Sequence, residues 1–188
     1  MRNALLELVS SHTPIDPIEQ EHTQNTLRFI QENDNCTSAE NLQGHVTASA
    51  WVLSPDNTAT LLTHHRKLNR WLQLGGHVEN DSTIQEAAMR EAMEESGLSE
   101  MNLMYDNVFD IDVHRIPARK GIGEHYHYDI RFLIQANSTV FSKSSESNEL
   151  AWVQLSRVPE LVNDESVLRM CRKCIGEMND FDGFTDRQ

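Results

Sequence analysis

Cysteine, positive charge and long apolar runs are all scarce in this sequence. Of its 188 residues only Cys36, Cys171 and Cys174 are cysteine. An odd count without a secretory pattern argues against a disulfide framework. Cys171 and Cys174 form a lone CxxC pair, read here as a reduced, packed helical pair. Lys and Arg number 16 against 29 Asp and Glu, a formal charge of −13. Such an acidic chain is not built to grip nucleic-acid backbones nonspecifically, which takes a dominant basic surface. A small anionic ligand remains compatible if cations escort it. No apolar run approaches the roughly 20 residues that span a bilayer. The opening Met1 to Val9 stretch contains Glu7 and no cleavage-site pattern, so neither membrane nor secretion is expected, and a cytoplasmic location is.

The length suits one domain with an extension. Residues 1–42 read as a helical extension: Asp16, Pro17 and Glu19 supply an N-cap, a first-turn proline and a capping-box partner, and Asn33 to Asn35 stop the run. From residue 43 the pattern turns to strands. HVTASAWVL and TATLLTHH flank a turn at Ser54 to Asn57 and predict a hairpin. The loop HRKLNR leads into WLQLGGHVEN, then a helix from about Ser82 to Ser96. NVFDIDVHRI, HYHYDIRFLI and ELAWVQL are further strands, and helices near Val158–Val162 and Glu165–Met178 close the chain. Strands and helices without strict alternation predict an α+β sandwich over 43–188. There is no internal repeat or low-complexity tract.

The helix around residue 90 breaks the local rules. In REAMEESG, Glu91, Glu94 and Glu95 stand at i, i+3 and i+4, so three carboxylates share one face and repel. Gly97 is the expected C′ residue, which places them at the negative end of the helix dipole. Ile84, Ala87, Ala88 and Ala92 give the opposite face a small apolar surface suited to lying on a sheet. Gly75 and Gly76 let incoming backbone pass near the carboxylates. A hard divalent cation turns this repulsion into coordination, and magnesium also bridges readily to phosphates.

The segment GGHVENDSTIQEAAMREAMEESGL, residues 75–98, resembles the Nudix box. Gly76, Arg90, Glu91, Glu94, Glu95, Gly97 and Leu98 match at the family spacing, and Ala92 fills the apolar position. Ser82 departs from it, standing where the family has its first glutamate. Ser82 with Gln85 is expected to form a capping box, and Glu86, four residues before Arg90, to replace part of the missing partner. The resemblance implies an α/β/α sandwich with a mixed sheet and hydrolysis of a pyrophosphate link in a nucleoside diphosphate joined to another moiety. It implies that Glu91, Glu94 and Glu95 hold magnesium or manganese, with the Gly75 carbonyl as a further ligand. Arg90 orients the cluster, and Arg90, Glu94 and Glu95 form the catalytic set. One of the box glutamates is the favoured base; Glu146 or Glu149, on a late loop, is the second choice.

Phosphate needs positive partners, and the basic residues collect in HHRKLNR (Arg66, Lys67, Arg70) and HRIPARK (Arg115, Arg119, Lys120), with Arg70 and Arg115 the first candidates. EHYHYDIR puts His125, His127, Asp129 and Arg131 on one strand face. If the preceding strand pairs with it, Asp110, Asp112 and His114 join them. His114, His125, His127 and Asp129 are therefore candidate substrate contacts, or ligands of manganese or zinc. The expected partner is a small nucleotide-like molecule, and the N-terminal helices are candidates for a lid, a homodimer contact or simple packing. Two alternatives stand beside the hydrolase: a catalytically idle Nudix domain that senses a nucleotide metabolite, and an enzyme resembling isopentenyl diphosphate isomerase, which would need a cysteine at the site.

Overall fold

A computed structural model describes residues 1–65, 69–119, 121–141 and 147–185. Helices α1 (Arg2–Ser10) and α2 (Pro17–Glu32) precede strands β1 (Gly44–Leu53), β2 (Ala59–His65), β3 (Arg70–Leu72) and β4 (Leu74–His77). Helix α3 (Ile84–Ser96) follows, then β5 (Met101–Leu103), β6 (Asp110–Ile116), β7 (His125–Ala136) and β8 (Ser147–Gln154). A 3₁₀ turn (Leu155–Arg157) and helices α4 (Val158–Leu161) and α5 (Glu165–Thr185) complete the order.

All eight strands join one mixed sheet. Its spine is the parallel pair β1–β7, with His45 opposite His127 and Ser49 opposite Arg131. β4 runs antiparallel to β1, β6 and β5 antiparallel to β7, and β8 and β3 flank β2. Every residue of β1 is buried, as expected of a strand covered on both faces. Alternation sends its two sets of side chains to different cores. Val46, Ala48, Ala50 and Val52 pack with α1, α2 and α3 through Leu5, Val9, Phe29, Ile30, Ala87, Ala88 and Ala92. Trp51 and Leu53 pack with α5 through Val167, Met170, Cys171 and Cys174. The mixed sheet thus lies between helical layers, the expected α+β sandwich, and the N-terminal helices share its core. None of the three cysteines is in a disulfide, and all are buried.

The α2 start carries the expected cap, Asp16 accepting from the Glu19 amide. Glu19 itself does something the sequence did not announce. It is fully buried, accepts from the Ile15 amide at 2.9 Å and pairs with Lys173 of α5. Burial works against its charge, but bonds from His12 and Lys173 win and hold its pKa at about 2. No helix among the described residues is long and apolar enough to cross a membrane.

Candidate functional site

Helix α3 begins one residue later than the sequence suggests. Thr83, not Ser82, is the N-cap, and its hydroxyl oxygen accepts from the Glu86 amide. Glu86 reaches back to the Ser82 amide at 2.9 Å, so the expected Ser82–Gln85 box is replaced by a Thr83–Glu86 cap. That commitment also takes Glu86 away from the role expected of it beside Arg90. Gly97 ends the helix in the left-handed conformation, φ 66°, as its sequence position implied.

Arg90 finds its partner in Asp81. Nε donates to Oδ1 and Nη2 to Oδ2, both at 3.0 Å, the two-pronged geometry that guanidinium and carboxylate favour. This bond is the main cause of a raised Arg90 pKa and a lowered Asp81 pKa. Nη2 also donates to the His77 carbonyl at 2.8 Å. From Nη1, bonds run to Glu91 Oε1 at 3.0 Å and Glu94 Oε2 at 3.2 Å. Two of the three box carboxylates therefore converge on a single cationic nitrogen. Glu95 points elsewhere, accepting from the Gly75 amide at 3.1 Å. Burial, opposed by Arg90 and reinforced by Glu94, raises the Glu91 pKa.

Gly76 is what admits Glu91. A Cβ at that position would stand 2.6 Å from Glu91 Oε2. The neighbouring Gly75, at φ 148°, would press a Cβ to 2.6 Å from the Ala48 carbonyl oxygen. Both glycines serve the close approach inferred from the sequence, one toward the carboxylate and one toward β1. The donor set at this end of α3 is all oxygen, and the Glu94 side chain is 60% exposed; hard carboxylates with room beside them suit magnesium.

The β6–β7 pairing forms as the alternation implied, with Asp110 opposite Arg131, Asp112 opposite Asp129 and His114 opposite His127. Its inner half is an ion network. Arg131, 2% exposed, donates to Asp129 at 2.8 Å and Asp110 at 3.1 Å. Arg169 of α5 bonds both Asp110 oxygens at 2.8 Å. Asp129 also accepts from Thr47, Ser49 and Gln73, so the protein itself occupies this expected substrate contact. Burial opposes ionisation of Asp112 and Asp129, yet Arg131 keeps both pKa values below the usual carboxylate range.

The outer half is imidazole. His127 packs against His45, His77, His114 and His125, with ring centres 4.7 to 5.5 Å apart. Burial and neighbouring imidazoles lower the pKa of His45 to about 4 and of His127 to about 3. Nothing local in the sequence links His45 and His77 to the EHYHYDIR strand; the pairing of β1 with β7 and β4 brings them to it. Beyond His114 opens a cleft of about 540 Å³, lined among others by Arg70, Trp71, Asp112, His114, Ser166 and Arg169.

Arg70 thus reaches the cleft, where Asp164 lies 3.5 Å from its guanidinium. Arg115 is turned to Glu124 at 3.1 Å on the surface and is not among the residues lining it. Glu149 is exposed on β8, opposite His64. Arg66, Lys67, Lys120 and Glu146 lie outside the described residues.

A family model described as the NUDIX domain matches residues 44–170. Similar solved structures include a NUDIX-family hydrolase from Clostridium perfringens, with 24% identity over 69% of this chain and 95% of that one, TM-score 0.53. Another is a C. elegans Ap4A hydrolase binary complex, with 16% identity over 72% and 98%, TM-score 0.58. A third is the NUDIX domain of Shewanella oneidensis NrtR complexed with ADP ribose, with 12% identity over 80% and 97%, TM-score 0.53. A comparison with curated proteins gave no significant match. The structural likenesses speak for the fold, the family model covers well over half of the sequence, and the chain belongs to the Nudix family of hydrolases.

Proposed function

We propose that this Nudix hydrolase cleaves the pyrophosphate link of a nucleoside diphosphate joined to another moiety, and that it depends on a divalent metal. The observation that carries the reading is the convergence of Glu91 and Glu94 on Arg90, with Glu95 beside them at Gly75. Three carboxylates kept at mutual cost on one helix end favour a cation there.

Glu91, Glu94 and Glu95, with the Gly75 carbonyl, would hold magnesium, or manganese in its place. Such an ion supplies charge neutralisation at the phosphate oxygens and a lowered pKa for bound water. The remaining work falls to the chain. Asp81 fixes Arg90, and Arg90 in turn sets the Glu91 and Glu94 oxygens. Glu94 or Glu95 is the first choice to accept the proton of the attacking water; Glu149 and Glu146 are the second. Arg70 and Trp71 at the cleft offer a guanidinium for phosphate and an indole face for a base, beside His114, whose ring neighbours His127 and, through it, His125. Arg115 would have to leave Glu124 to reach phosphate. The C. elegans and Shewanella relatives, an Ap4A hydrolase and an ADP-ribose complex, support a small nucleotide-like substrate.

Ser82 favours an idle, metabolite-sensing domain, but Asp81 answers that departure by buttressing Arg90 from one residue earlier. An isomerase would require a cysteine at the site, whereas Cys36, Cys171 and Cys174 all pack into hydrophobic clusters. The test is a panel of ADP-ribose, dinucleoside polyphosphates, sugar nucleotides and nucleoside triphosphates, assayed with magnesium for products of P–O–P cleavage. At least one compound should be hydrolysed, with Glu95→Gln slower by on the order of 100-fold or more. Absence of turnover across the panel, or an unimpaired variant, would overturn the proposal.

A further inference from the structure

Among the described residues, one group of three histidines, cysteines or carboxylates has its ligand atoms all within 4.8 Å of one another, and it is His45, His77 and His127. Three strands deliver it. His45 on β1 lies directly across from His127 on β7, and His77 on β4 pairs with Thr47, two residues further along β1. Strands position side chains more precisely than loops do.

His45 is the informative member. It is 2% exposed, and neither of its ring nitrogens has a hydrogen-bond partner. A histidine buried only for packing ordinarily finds a carbonyl, carboxylate or hydroxyl for at least one nitrogen. The His45 ring instead packs against three other imidazoles, those of His77, His125 and His127, with centres 4.7 to 5.2 Å away. Protonating the cluster to receive an anion would place like charges within 4.8 Å of one another, which Coulomb repulsion opposes. A shared cation accepts one nitrogen lone pair from each of the three rings at once.

We infer that His45, His77 and His127 bind a borderline transition-metal ion, zinc foremost, at a site separate from the box carboxylates. Imidazole nitrogens select zinc over magnesium, which prefers oxygen. Three protein ligands are one short of a closed tetrahedral site, so the fourth position is left to water or to a substrate oxygen. His125 stands at the rim, its ring 5.2 Å from His45 and 5.3 Å from His127. Its Nδ1 lies 2.9 Å from the Gly123 carbonyl, which holds the ring at the edge of the cluster. Gly76 abuts Glu91, and the next residue along β4, His77, turns its ring to His45.

The experiment is titration of the metal-free full chain with zinc alone, in competition with a chromophoric chelator, and with cobalt alone, read by visible absorption. One zinc should bind per chain, and cobalt should give the intense bands of a four-coordinate ion. Loss of a partner that merely supports a ligand weakens metal binding about 10–100-fold. Removal of a ligand by His127→Ala should therefore weaken zinc binding roughly 100-fold or more and abolish the cobalt bands. His77→Ala, at an exposed position, gives the same answer should His127→Ala fail to fold by circular dichroism. Glu94→Gln should leave zinc affinity within about two-fold. Failure to bind zinc, unchanged binding in His77→Ala, or loss in Glu94→Gln would each overturn the site. None of these readouts involves hydrolysis with magnesium, so the pyrophosphate proposal stands or falls separately.

Discussion

Asp81 and Arg90 meet through two parallel hydrogen bonds of 3.0 Å, and this pair takes the place of the glutamate absent at Ser82. The family position lies one residue later, where the chain is already turning into the Thr83 cap. Asp81, with the shorter side chain, reaches Arg90 from just before that turn.

Asp81→Ala should accordingly lower kcat about 10–100-fold, the usual cost of losing a partner that orients a metal-site residue, with little change in Tm. Adding Ser82→Glu to Asp81→Ala should recover part of the loss. Steady-state rates on the best substrate check both, and a fully active Asp81→Ala would show that Arg90 needs no such support.

The adjacent glycines should respond differently to the same added methyl. At Gly76 it meets the end of the Glu91 side chain, which can swing away. Gly76→Ala is expected to fold with a stability loss of about 1 kcal/mol or less, yet to lose on the order of 100-fold in kcat through the displaced carboxylate. At Gly75 it meets β1 backbone at a φ suited to glycine. Gly75→Ala should cost about 1–3 kcal/mol or more in stability. Urea denaturation beside initial rates separates the two.

Glu19 predicts an acid limit to stability. Its pKa falls from 4.5 to about 2 on folding, so its contribution is fully present above about pH 4.5 and is lost as pH drops toward 2. That difference corresponds to roughly 3 kcal/mol. Glu19→Gln should be less stable at neutral pH and should flatten the stability–pH curve over that window, as measured by denaturation at stepped pH.

Arg131 should be the costliest side chain to truncate. It is enclosed by Asp110, Asp112 and Asp129, and Arg131→Met would leave those buried charges short of a partner, a loss of about 3–5 kcal/mol. Chemical denaturation checks the value. A change below 1 kcal/mol would mean that Arg169 and Lys173, which also reach Asp110, carry the network alone.

The sequence was most legible where the signal was local. Alternation in DIDVHR and HYHYDIR was enough to anticipate the polar face of β6 and β7, and the glutamate spacing with Gly97 marked α3. It was silent where distant segments meet. Glu19 and Lys173 lie 154 positions apart, and His45 joins His127 only because β1 and β7 pair in parallel. Arg70 reached the cleft, while Arg115 settled on Glu124. The cap shift from Ser82 to Thr83 is a single-residue effect that two adjacent hydroxyl residues leave open in sequence. The three-residue strand β5 is too short to carry a periodic signal.

The claim on which the functional account rests is that the α3 carboxylates gather a hard divalent ion. Electron paramagnetic resonance of manganese titrated into the chain tests it directly, because the signal of the free aqua ion fades on binding. The account predicts that His77→Ala retains a manganese site and that adding Glu94→Gln and Glu95→Gln to it removes that site. Equal manganese uptake with and without the two glutamates would contradict it.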